Sequence, residues 1–247
     1  MKSLGFIAIV LLFVFNSFAQ TGPAPKQAAT EKMAAAATNA PLDMAKATLA
    51  AHGGEKLKNL KSLVTKGSAD LTFMGQAIPG VFSTAISGDK YYFEINTAIQ
   101  SLKQVYDGRQ TYSSVPGFSL PPITSLGFPL LTRIGDTGYV ASAIPEGKKK
   151  RAGFRITTPD GFYTDFYIDE KTSQIKGYES SYAVGAGTVT TSVEIDEFQT
   201  VEGLVVPKKY SQRIDLGGGQ ATAYANFKTK EIRVNPPMAD DAFALPR

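Results

Sequence analysis

The sequence predicts an α+β protein that is mostly β, built on a strongly curved antiparallel sheet that curls toward a barrel or half-barrel. Three observations predict it. Apolar and polar residues alternate with period two over most of residues 62–230, as in Ala69, Leu71 and Phe73 against Asp70 and Thr72, or Tyr91, Phe93 and Ile95 against Tyr92, Glu94 and Asn96. The same phase runs through Phe162, Thr164, Phe166 and Ile168, and through Val189, Thr191, Val193 and Ile195. Such alternation belongs to antiparallel strands with one wet and one buried face, whereas parallel α/β strands are apolar throughout. Turn signals recur at short intervals: Met74-Gly75, Ser87-Gly88-Asp89, Asp107-Gly108, Pro159-Asp160-Gly161, Gly185-Ala186-Gly187, Glu202-Gly203 and Gly217-Gly218-Gly219. They mark a meander of roughly nine to eleven strands, more than an open sheet carries without strong curling. Helical periodicity, the third observation, is confined to the start of the folded part.

In chain order, Met1 and Lys2 precede an apolar run from Leu4 to Phe15, and Ser17-Phe18-Ala19 puts small residues where a signal peptidase reads. Residues 1–19 are therefore expected to be a secretory signal, whose loss removes only the Lys2 side-chain charge from a formal balance of +4. Residues 20–40, rich in Ala, Thr, Pro, Gln and Lys, have little to bury and are expected to form a flexible leader. One folded domain is expected over 41–247. It opens with an amphipathic helix from Leu42 to Ala51, with Leu42, Ala45 or Met44, and Leu49 on one stripe and His52-Gly53-Gly54 as its stop. A short helical turn, Glu55 to Leu60, leads into the first strand. Val115 to Ile134 breaks the pattern with Pro116, Pro121, Pro122 and Pro129 among large apolar residues, which forbids a central strand. It reads either as a plug at one end of the sheet or as a lid over a cavity.

Composition removes most catalytic machinery. Without cysteine there is no disulfide framework, thiolate nucleophile, Cys-ligated metal or lipid-modified Cys after the signal, and with one histidine, His52, there is no multi-imidazole metal centre. No metal or cofactor is expected. At the end of the first helix, His52 reads as a structural residue meeting helix C-terminal carbonyls rather than as a general base. The carboxylates Asp169-Glu170, Glu194-Ile195-Asp196-Glu197 and Asp240-Asp241 fall at turns or on polar strand phases, where charge is ordinary. Gly217-Gly218-Gly219 lacks the Lys-Ser/Thr and helix of a phosphate loop. Lys148, Lys149, Lys150 and Arg151 form a basic hairpin tip that suits contact with anionic head groups, each cation near such a surface contributing about 1 kcal/mol. Export and a small net charge argue against nucleic acid as a partner. No second apolar stretch approaches the roughly 18–20 residues that cross a bilayer, so the exported chain is expected to be unanchored.

Four strings, taken in order and spacing, carry a resemblance. They are His52-Gly53-Gly54 with Leu57, Leu60-Lys61-Ser62-Leu63 and Gly67; Tyr167-Ile168-Asp169-Glu170-Lys171-Thr172-Ser173-Gln174-Ile175; Phe198-Gln199-Thr200-Val201-Glu202-Gly203-Leu204-Val205-Val206-Pro207; and Ile232-Arg233-Val234-Asn235-Pro236 with Phe243-Ala244-Leu245-Pro246. With them the chain resembles the outer-membrane lipoprotein-sorting and periplasmic lipoprotein-carrier (LolA/LolB-like) superfamily. The resemblance implies an incomplete, half-open barrel whose helices cover the concave face, with an apolar cavity that accepts acyl chains. It implies a periplasmic, non-enzymatic carrier or chaperone whose partner is a lipid or lipidated protein, handed on by a membrane-bound donor or acceptor; the chain itself is expected to be a monomer. Candidate ligand-binding residues are Phe73, Phe82, Tyr91 and Phe93 on the sheet and Phe118, Leu120, Leu126, Phe128 and Leu131 in the proline-rich segment. Two other classes stay open: an envelope-sensing or protein-interaction module on the same fold, and a hydrolase working with carboxylates alone.

Overall fold

The computed structural model describes residues 40–73, 75–114, 127–145, 151–184, 187–215, 222–239 and 241–245. The expected signal peptide, nearly all of the leader, Phe118, Leu120, Leu126, Lys148–Lys150, the Gly217–Gly219 turn and Asp240 lie outside these residues. Helix α1 (40–51) ends at the turn His52–Gly54, and α2 (Glu55–Lys58) follows. Then come β1 (Ser62–Phe73), β2 (Gln76–Ser87), β3 (Lys90–Thr97), β4 (Ser101–Tyr106) and β5 (Thr111–Ser113). A 3₁₀ segment, Phe128–Arg133, precedes β6 (Val140–Ser142), β7 (Gly153–Thr157), β8 (Tyr163–Ile168), β9 (Ile175–Val184), β10 (Gly187–Val201), β11 (Leu204–Asp215) and β12 (Thr222–Val234).

All twelve strands form one antiparallel sheet in the order β5-β4-β3-β2-β1-β12-β11-β10-β9-β8-β7-β6. Two meanders thus meet where the first strand pairs with the last, and the sheet stays open between β5 and β6. The count exceeds the nine to eleven expected, because the three-residue edge strands β5 and β6 are too short to show a period. Glycine shapes the seam. Gly67 sits at the β1–β12 bulge, where an added Cβ would lie 2.1 Å from the Lys228 carbonyl oxygen.

The sheet curls until its two arms face each other. Tyr91 of β3 and Tyr182 of β9 are electrostatic neighbours although five strands separate β3 from β9 in the sheet. Cross-strand pairs such as Phe82 with Ile95 and Thr84 with Phe93 place these residues on the same face as Leu63 and Ala69. Over one part of this concave face lie Ala45, Leu57, Leu130, Leu131 and Ile134, packed against Leu63, Phe154, Phe166, Ile175 and Val206. Within α1 the deepest residues are Ala45 and Thr48, flanked by the half-buried Leu42, Met44 and Leu49 of the expected stripe. Small side chains there let the helix approach the strands closely.

The convex face is not uniformly wet, which corrects the simple two-face reading. Residues 236–239 and 241–245 fold back over β1, β2 and β4, where Phe243 packs with Val64, Ala85 and Val105. Asn235, with a positive φ of 51°, turns the chain and accepts backbone N–H groups of Lys61 and Ser62 on its side-chain oxygen at 2.8 and 3.2 Å. A second departure is Asp165, on the polar phase of β8 yet fully buried against Arg155.

His52 ties the helical layer to the sheet. It is fully buried; Nδ1 donates to the Val205 carbonyl of β11 at 2.8 Å, and Nε2 accepts the Ile175 N–H of β9 at 3.0 Å. The expected structural role stands, but the partners are strand backbone rather than helix carbonyls. Gly53 follows because a Cβ there would meet Leu204 at 2.9 Å and the Gly203 carbonyl at 3.0 Å. Burial holds the His52 pKa below its ordinary 6.5. Above about pH 6.5 both folded and unfolded states are neutral at this site. As pH falls below that value the unfolded state binds the proton first, so stability is lost. Urea unfolding between pH 7.5 and 5.5 is expected to show a decline of at most about 1.4 kcal/mol per pH unit that His52→Gln abolishes. An equal decline in the variant would assign it to other groups.

Candidate functional site

The concave face holds two adjoining cavities, open to solvent, of about 170 and 120 Å³ that share Thr84, Ile86, Pro129, Tyr178, Val193 and Tyr210 in their walls. The larger lies between the β2–β4 arm, which contributes Thr84, Tyr91, Phe93 and Gln104, and the β9–β11 arm, which contributes Tyr178, Ser180, Tyr182, Thr191, Val193 and Tyr210. Gly127 and Pro129 close one side. Period two explains this lining: in the Tyr178, Ser180, Tyr182 series every second residue of β9 points inward. Phe227 of β12 forms the floor and stacks on Tyr210 with ring centroids 4.8 Å apart.

Chain segment Gly127–Arg133 is held over the cavity by specific bonds. The Gly127 N–H donates to Thr164 Oγ1 at 3.1 Å, and that hydroxyl pairs with Ser180 at 2.8 Å. Gly127 must be glycine: its φ is 69°, and a Cβ would lie 2.7 Å from the Tyr178 ring. The Tyr178 hydroxyl bonds to the Phe128 backbone, and burial pushes its pKa up to about 12. Lys58 of α2 donates to the Ile134 carbonyl at 2.5 Å and to Asp136 at 2.7 Å, while Arg133 pairs with Asp89 in the β2–β3 turn. With Leu130 and Leu131 fully buried, this half of the proline-rich segment packs into the core.

The wall is more polar than an apolar groove. Tyrosines, threonines, Ser180, Gln104 and Gln212 interleave with Ile86, Phe93, Val193 and Phe227, and no charged side chain lines either cavity. Tyr182 bonds to the Thr191 side chain and Thr84 Oγ1 to Thr65 Oγ1 at 2.6 Å.

Of the residues singled out from sequence, Tyr91 and Phe93 line the larger cavity, and Phe128 lines the smaller one while meeting the His52 ring edge-on at 5.3 Å. Phe82 and Leu131 line neither. Phe82 packs edge-on against Phe227 at 5.2 Å beside Ala69 and Ile95, and Leu131 packs under α1 and α2. Phe73 is the last residue of β1, paired with Ala223 of β12. Arg151, the described member of the basic tip, lies 3.9 Å from Glu194 and 5.5 Å from the Tyr167 ring centroid, on the convex side. The β9–β11 tyrosines escaped the sequence reading, although the Tyr178-x-Ser180-x-Tyr182 phase displays them.

Among the described residues, the carboxylates considered for hydrolysis do not converge. Asp169 is held by Lys176 and by the backbone N–H groups of Lys171 and Thr172, which together lower its pKa to about 2. Glu197 is clamped by Lys208 and Lys209, also to about 2. Both stay ionised near neutrality and cannot act as general acids there. No cluster of three or more metal-ligating side chains occurs among the described residues, and no helix among them is long and apolar enough to cross a membrane.

No protein-family model matches the chain, and no curated protein matches it. Solved structures do. A LolA superfamily protein from Nitrosomonas europaea aligns with a TM-score of 0.51 at 11% identity, over 80% of this chain and 97% of that one. A DUF1329 family protein from Desulfovibrio piger aligns at 0.48 and 11%, over 84% and 97%. An outer membrane lipoprotein-sorting protein domain from Vibrio parahaemolyticus aligns at 0.43 and 11%, over 82% and 95%.

Proposed function

From the premise that the chain has the half-open barrel fold of a LolA superfamily protein, we propose that it is an exported, periplasmic binding or carrier protein for a lipid or other amphiphile. The observation that carries this reading is the pair of cavities between the two arms of the sheet, floored by Phe227 and closed by Gly127 and Pro129. A curved sheet whose concave face meets its own helices along only part of its length leaves apolar wall in contact with water. An acyl chain covering that wall gains roughly 0.8 kcal/mol for each CH₂ buried. Each cavity is smaller than the roughly 300 Å³ at which small-molecule sites begin. The ligand therefore inserts one short chain or a chain end, and a longer molecule extends beyond the enclosed space. The domain that does this is the one over 41–247, and the lipid or lipidated protein is its partner.

The neutral dye Nile red tests this reading. Its fluorescence is expected to rise and saturate at about one dye per chain, and to be displaced by lipids extracted from the cell envelope. A protein that neither brightens the dye nor binds envelope lipid would contradict the proposal and favour the protein-interaction alternative.

A further inference from the structure

The bonds made by His52 require a neutral imidazole. Its Nδ1–H donates to the Val205 carbonyl, so Nε2 carries the lone pair that accepts the Ile175 N–H, and the Val205 N–H donates in return to the His52 carbonyl at 3.2 Å. A proton on Nε2 would face the Ile175 N–H, donor against donor. The ring has little room to turn away, because Phe128 and Phe198 pack against it with centroids 5.3 and 5.1 Å distant. The docked state therefore has no place for the charged form.

The ionisable side chains on the surrounding elements are exposed or engaged elsewhere. Asp43 and Lys46 of α1 and Glu202 of the β10–β11 turn are exposed. In α2, Glu55 accepts from Asn59, Lys56 donates to the Glu202 carbonyl and Lys58 pairs with Asp136. Lys176 of β9 pairs with Asp169, Glu197 of β10 with Lys208 and Lys209 of β11, and Arg133 with Asp89. Helix α1 has few other deep anchors. Its most buried residues are the small Ala45 and Thr48, and the Thr48 hydroxyl, one turn before His52, is buried without a hydrogen-bond partner. Undocking the helix gives water to that hydroxyl and access to protons for His52.

We propose that His52 is an acid-sensitive latch: protonation at Nε2 releases α1 from β9 and β11 while the sheet stays folded, and so uncovers the part of the concave face beneath the helix. Such a latch operates whatever the cavities hold. Burial keeps the His52 pKa below 6.5 in the docked state, and exposure returns it to its ordinary value in the released state. Below that pH the released population grows by up to about tenfold per pH unit.

Native-state amide hydrogen exchange at pH 7.5, 6.5 and 5.5, corrected for the intrinsic pH dependence of exchange and repeated in low urea, tests this. The Ile175 and Val205 amides, both bonded to His52, report the latch; those of Ala69 and Phe227, paired in β1 and β12, report global unfolding. In the wild type the latch amides are expected to be at least about tenfold less protected than the core amides and insensitive to low urea, because a local opening exposes little surface. Between pH 6.5 and 5.5 they are expected to lose a further factor approaching ten. His52→Gln offers one donor and one acceptor without titrating, and is expected to remove that pH dependence while keeping the urea insensitivity. Latch amides that match the core amides in protection and urea sensitivity would overturn the proposal, since His52 would then be released only by global unfolding. A pH dependence retained in His52→Gln would overturn it by assigning the proton to another group.

Discussion

Replacing Arg155 with alanine is expected to lower the free energy of unfolding by about 3–5 kcal/mol. Asp165 is fully buried, and Arg155 grips it with two parallel bonds, Nε to Oδ1 at 2.6 Å and an Nη to Oδ2 at 2.9 Å. The guanidinium also lies 3.8 Å from the Tyr163 ring centroid. Removing it takes two charge-assisted bonds from a carboxylate held away from water, the circumstance in which breaking an ion pair is most damaging. Urea unfolding at pH 7 measures the loss. The double replacement Arg155→Met with Asp165→Leu is expected to recover most of it, since the pair's own net contribution is small once desolvation is counted. A single replacement that cost less than about 1 kcal/mol would mean that Asp165 is solvated or neutralised in another way.

The second large effect is on binding. Val193 of β10 is 4% exposed and lines both cavities. Val193→Trp places a large ring in the space assigned to the ligand. No side-chain hydrogen bond is lost, so the folding cost is that of overpacking, about 1–3 kcal/mol. Affinity for Nile red is expected to fall by about a hundredfold or more, the equivalent of roughly 3 kcal/mol of excluded apolar burial. Unfolding curves run in parallel ensure that the loss is read on folded protein. Unchanged affinity would place the ligand elsewhere, the convex face being the alternative surface.

Particular residues show where sequence reading reached and where it stopped. Period two placed Tyr91 and Phe93 on the inward face, and the Ser87–Asp89, Asp107–Gly108 and Glu202–Gly203 signals fell at observed turns, because both depend on neighbours two to four residues apart. Phe82 shares the phase of Phe93, and nothing local separates them. Phe82 meets Phe227, which is distant in sequence, whereas Phe93 meets open space. Asp165 falls on a polar phase, and pairing with Arg155 of the adjacent strand helps make its burial tolerable. The C-terminal residues over Val64 and Val105 lack a period of their own, so the covered part of the convex face was not legible. The cavity's polarity was legible in the alternating tyrosines and hydroxyls of β9, but an expectation of apolar lining favoured phenylalanine and leucine.

The most direct test of the binding account is native mass spectrometry of wild-type and Val193→Trp protein, each isolated from the cell envelope under non-denaturing conditions. The account predicts wild-type protein carrying about one lipid per chain, identified after extraction, and a Val193→Trp protein that is folded and empty. Wild-type protein isolated without lipid and unable to take up Nile red, or the same lipid on both proteins, would contradict it.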